Sequence, residues 1–157
     1  MVPLYLYRSG ERTKLTGRSR FAGELIAHPH SSPDVRSAPL NERMTTVYHV
    51  NAGKLPGNDI SRTFEGGSHG QSSVSFFLVH NQPGQGPDLH HHPYDETFIV
   101  LEGHVLIRVG DETAEAGPGD IAVGPPGIPH GFTNLGPGRA RLVCIHAAPA
   151  MQTTFVR

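Results

Sequence analysis

The sequence predicts an all-β domain, a sandwich or barrel of short strands, and three observations carry that prediction. Glycine (19 residues) and proline (14 residues) punctuate a chain of 157, a density that disfavours helical bundles and marks tight turns. Between those breaks stand short runs of β-branched and aromatic residues, the length and chemistry of strands. The Gly-Pro signals at 117–119, 124–127 and 136–138 recur at the regular spacing of an all-β fold.

Taken in order, the first strand is expected at Thr45–Val50 and the second at Ser73–Val79. Thr97–Leu101 and Val105–Val109 follow, on either side of Glu102-Gly103-His104, which reads as a hairpin turn. Such a turn would pair Val100 with Val105 and Phe98 with Ile107. Ile121–Val123, Gly131–Thr133 and Arg141–His146 complete the series. There is no solenoid repeat and no long low-complexity tract.

Composition excludes several functions. A formal net charge of −1 offers no broad basic footprint for nucleic acid. No apolar run approaches the roughly 20 residues of a membrane helix, and the opening apolar stretch turns polar at Arg8, too early for a secretory signal. The lone Cys144 cannot close an intrachain disulfide. The expected compartment is the cytoplasm. The anomaly is 11 histidines against 13 Lys and Arg, which raises the question of a metal.

Composition also shifts near residue 44. Residues 1–43 hold seven Lys and Arg against four acids and no sustained apolar period. They read as an N-terminal extension unable to offset its conformational entropy, hence disordered. Two other readings stay open. One is an organellar presequence, from the basic run at 8–20; the other is a translation start at Met44. Residues 44–157 form the predicted domain.

The chemistry concentrates in Gly84–Gly103. On a strand, His90 and His92 project to one face while His91 points away. Pro93 interrupts the strand, and Glu96 opens the next. Two imidazoles and a carboxylate with open positions suit divalent iron and related metals. Downstream, Gly119, Pro125, Gly127, His130 and Asn134 form a second constellation, with His130, Phe132 and Asn134 on one strand face.

Together these stretches resemble the cupin superfamily. The first cupin motif, G-x5-H-x-H-x(3–4)-E-x6-G, is met at Gly84, His90, His92, Glu96 and Gly103. The second, G-x5-P-x-G-x2-H-x3-N, is met at Gly119, Pro125, Gly127, His130 and Asn134. The resemblance covers about 44–157 and implies a double-stranded β-helix, a jelly-roll-like barrel. It implies that His90, His92, Glu96 and His130 hold one divalent transition metal per chain, drawn from Fe, Mn, Ni, Zn, Co and Cu. It also implies a homodimer joined through a sheet face, with Ile99, Leu101 and Leu106 turned away from the pocket.

Phe98, Val100, Val105, Ile107 and Phe132 are expected to line an apolar substrate pocket. Sugar phosphates would call for converging Arg or Lys, and residues 44–157 contain only six. The expected partner is therefore a small, largely neutral organic ligand, aromatic or polyketide-like. The reading is a mononuclear metal enzyme, dioxygenase-like or isomerase/cyclase-like, with Glu96 as general base. The rival is a metal-containing module that binds a small molecule without turnover; a storage barrel ranks below both. Tyr94 reaches the mouth or simply packs, Cys144 is a small buried hydrophobe, and Asn134 braces loops. His146 reads first as a satisfied core histidine and second as a donor lining the pocket. His28, His30, His49, His69, His80 and His104 read as surface or hydrogen-bonded residues.

Overall fold

A computed structural model describes Tyr5–Arg8, Glu11–Lys14 and residues 47–156. Its strands are β1 (Tyr5–Arg8), β2 (Glu11–Lys14), β3 (Ser61–Phe64), β4 (Ser75–Asn81), β5 (His90–His91) and β6 (Glu96–Glu102). The series continues with β7 (Val105–Val109), β8 (Glu112–Ala116), β9 (Ile121–Gly124), β10 (His130–Asn134), β11 (Ala140–His146) and β12 (Thr154–Phe155). A 3-10 turn, Ala52–Lys54, is capped by the Asn51 side chain, which accepts from Gly53 N at 2.9 Å.

Two sheets face each other. One has the order β2-β1-β9-β6-β11-β4-β3 and the other β12-β5-β10-β7-β8, and every recorded pairing is antiparallel. The core lies between them. Period-two alternation puts Phe98 and Val100 of β6, Val105 and Ile107 of β7, Phe132 of β10 and Leu142 and Cys144 of β11 inward. This is the predicted all-β, jelly-roll-like barrel.

Two strand expectations need correction. β6 and β7 are not a hairpin pair: β6 bonds to β9 and β11, and β7 to β8 and β10. Gly103, at φ +88°, carries the chain from one sheet to the other, and a Cβ there would lie 2.7 Å from Ala140 Cα. A Glu-Gly sequence cannot distinguish that crossover from a tight turn, because both need a left-handed residue. The strand expected at Thr45–Val50 is also absent where described, since residues 47–50 are irregular and mostly exposed. Among the described residues no strand pairs with them, so β-branched composition alone is insufficient. Apart from β1 and β2, the readings made of residues 1–43 fall outside the described residues.

Candidate metal centre

The site stands where β5, β6 and β10 meet. His90 and His130 are directly opposite each other in the β5–β10 pairing. His92 follows β5, and Glu96 opens β6 beside Gly124 of β9. His90, His92, Glu96 and His130 are all buried.

Each imidazole is oriented by a backbone carbonyl. His90 Nδ1 meets Asp88 O at 2.7 Å, His130 Nδ1 meets Ile128 O at 2.8 Å, and His92 Nδ1 meets Gln152 O. A neutral ring that donates from Nδ1 keeps its lone pair on Nε2. The three Nε2 atoms lie 3.5, 3.1 and 2.9 Å from Glu96 Oε2 for His90, His92 and His130. His130 Nε2 has no hydrogen-bond partner.

Three lone pairs and a carboxylate oxygen crowded together repel one another unless a cation joins them. The four donor atoms fall within 4.8 Å of one another. Bonds of about 2.1 Å to a common ion would place neighbouring donors about 3 Å apart. The residues therefore fit a divalent transition ion, with imidazole and carboxylate ligands that leave its identity open.

Charge in the cluster follows from the same contacts. Burial by itself would raise the Glu96 carboxyl. In the metal-free site, where a ring can instead carry a proton on Nε2, contact with His130, His90 and His92, together with the charge of His146, outweighs it and holds the group far below the usual carboxylate range. Burial opposes charge on His90, but Glu96 and the Asp88 carbonyl overcome it and raise its pKa. His146 is pushed down to about 4, chiefly by burial.

A cavity of about 280 Å³ runs from His90 and Glu96 along the inner face of β4, past Phe77 and Val79 to Asn81. Phe132 and Cys144 line it, and Phe155 and Thr153 of the C-terminal segment close one side. No Lys or Arg is among the described residues lining it. The C-terminal segment is clasped at Gln152, whose N donates to Tyr94 Oη at 2.7 Å. The Tyr94 ring stacks on His92, with centroids 5.2 Å apart.

The profile of the Cupin domain family matches residues 77–146. The chain carries a cupin domain. Its relatives include the polyketide synthase CurC of Streptomyces cyaneus, 27% identical over 111 residues, or 70% of this chain and 71% of that protein. Oxalate decarboxylase of Bacillus subtilis, whose centres hold Mn(II), superposes with a TM-score of 0.58 at 19% identity, covering 61% of this chain. The Lactobacillus farciminis oxalate decarboxylase gives 0.58 at 20% identity over 66% of this chain. The cupin domain spans only 27% and 33% of those two decarboxylases, and at that identity they speak to the fold.

All four predicted metal residues of the cupin domain come together. Of the predicted pocket wall, Phe132 lines the cavity; Phe98, Val100, Val105 and Ile107 share its core cluster but are not among the lining residues. The cavity takes its apolar wall instead from Phe77, Val79, Ile60 and Phe155. Asn134 braces loops as expected: its Nδ2 donates to Asn81 O and Gly138 O, and its Oδ1 accepts from Gly136 N.

His146 departs from its first reading. It is wholly buried, yet neither ring nitrogen has a hydrogen-bond partner among the described residues, and Nε2 lies 3.5 Å from Glu96 Oε1. The β6–β11 register sets it opposite Glu96. Its parity with Leu142 and Cys144 was the available signal for an inward side chain.

Proposed function

We propose that this cupin domain is a mononuclear divalent-metal enzyme acting on a small, largely neutral organic molecule, polyketide-like or aromatic. The observation that carries the reading is the convergence of three carbonyl-oriented imidazoles on Glu96 at one end of a mainly apolar cavity with no Lys or Arg among the described residues lining it. The likeness to the polyketide synthase CurC supports that class of substrate.

His90, His92, Glu96 and His130 would hold the ion, which supplies Lewis acidity or an O2-activating centre when bound. The chain's own residues do the rest. Phe77, Val79 and Phe132 take the apolar body of the substrate and exclude water. The Asp88, Ile128 and Gln152 carbonyls keep the imidazoles aimed.

Glu96 is the candidate general base, and its environment sets a condition on that role. The contacts that keep it ionised also make it a weak base. It can accept a proton effectively only after one oxygen leaves the imidazole cluster.

The decisive experiment is anaerobic purification followed by metal analysis of wild type, His90→Ala and His130→Ala. Stoichiometric metal in wild type and loss in both variants is expected; unaltered content in both variants refutes the site. Oxygen consumption with bound iron favours the dioxygenase-like branch, and metal-dependent product formation without it favours isomerisation or cyclisation. Saturable ligand binding with no product at any metal loading favours the non-catalytic module. We also propose a homodimer in the cytoplasm, joined through the outer face that exposes Leu101, Ile121 and Val123. A monomer mass in light scattering at micromolar concentration would count against the dimer.

A further inference from the structure

We propose that His146 is a positioning residue that donates from Nε2 to Glu96 Oε1, committing Glu96 to hold a metal through Oε2 alone. The inference rests on the metal reading above and adds a fifth residue to it. Glu96 presents its two oxygens to different neighbours. Oε2 faces His90, His92 and His130, whereas Oε1 faces His146 at 3.5 Å.

Among the described residues, His146 has no competing partner. Both its ring nitrogens are buried without a hydrogen bond, and the ring contacts around it are aromatic: His92 at 4.6 Å, Phe77 at 5.3 Å and Tyr94 at 5.8 Å between centroids. Burying an unpaired imidazole is costly, so the position needs a reason. The tautomer follows from electrostatics. A proton on Nδ1 would aim the Nε2 lone pair at a carboxylate oxygen, whereas a proton on Nε2 makes the contact attractive. Closing by about half an ångström would bring it into the usual N–H···O range.

The consequence concerns coordination. A carboxylate free to chelate through both oxygens would occupy two positions on the ion. Engaging Oε1 from behind keeps Glu96 monodentate and leaves a position for a substrate oxygen. Strand register secures the geometry, because Glu96 and His146 are opposed on neighbouring strands.

The test is Mn(II) binding to wild type, His146→Leu and His146→Gln, with folding checked by circular dichroism. Titration gives Kd, and electron paramagnetic resonance reports the symmetry of bound Mn(II). His146→Leu should bind Mn(II) about ten- to a hundredfold more weakly and with an altered fine structure. His146→Gln retains an N–H donor and should recover most of the affinity and the wild-type spectrum. Wild-type affinity and spectrum in His146→Leu overturn the proposal while leaving the metal site standing. Equal loss in both folded variants also overturns it, because packing rather than donation would then be responsible. A wild-type chain that takes up no Mn(II) overturns the proposal and counts against the metal reading beneath it.

Discussion

Gly124→Ala should disable the metal centre without touching a ligand. Gly124 closes β9 opposite Glu96, and a Cβ added there would stand 2.7 Å from His130 Nδ1 and 2.9 Å from its Cγ. Ordinary contacts begin near 3.5 Å, so the ring must move by about 0.7 Å or more. It has little room, with His92 and Phe98 at centroid distances of 5.2 and 5.9 Å. Movement also strains the 2.8 Å contact between Nδ1 and Ile128 O. Overpacking of this kind costs about 1–3 kcal/mol, and the disturbed hydrogen bond adds about 1 kcal/mol. Metal affinity should fall by about ten- to a hundredfold, as it does when an orienting contact is lost. Urea unfolding in the presence of chelator reads the first effect, and chelator competition reads the second. Gly117→Ala is the control. A Cβ there meets nothing within 4 Å, so stability should stay within about 0.5 kcal/mol. Wild-type metal affinity in Gly124→Ala would refute the claim that this glycine makes room for His130.

Three further outcomes are expected. In metal-free protein, the stability difference between wild type and His146→Leu should depend on pH. His146 is held neutral down to about pH 4 when folded, while the unfolded chain protonates it below about pH 6.5. The unfolded state then binds more protons, so this contribution is lost as pH falls, by about 2 kcal/mol between pH 7 and 5. A pH-independent difference in urea unfolding would contradict it. Asn134→Ala strands the Asn81 and Gly138 carbonyls and should cost about 1–3 kcal/mol, again by urea unfolding. Tyr94→Phe removes the acceptor for Gln152 N and should speed amide exchange across residues 151–156. Because the Gln152 carbonyl orients His92, Mn(II) should also bind several-fold more weakly. Unchanged exchange would show that the clasp is not Tyr94.

Much of the centre was legible because it depends on local chain geometry. The two-residue period of a strand is enough to put His90 and His92 on one face with His91 outward, and the burial of all three follows that pattern. The inward parity of Phe98, Val100, Val105, Ile107 and Phe132 was readable for the same reason. Which of them meets the cavity was not. That depends on the pairing of β3 with β4 and of β12 with β5, and the short strands β3, β5, β8 and β12 carry little apolar pattern of their own.

The amino-acid sequence alone determined the all-β character and brought His90, His92 and Glu96 together, because strand periodicity and turn chemistry act over a few residues; His130 joined them through the resemblance of the two motifs to cupins. Tertiary structure alone decided that β6 and β7 belong to different sheets, since a left-handed glycine serves a crossover as well as a hairpin. It also brought His146 to Glu96, 50 positions earlier, and the Gln152 carbonyl to His92, 60 positions away. Those contacts arise from pairing between distant strands and from a closing C-terminal segment, where no local spacing rule records who meets whom.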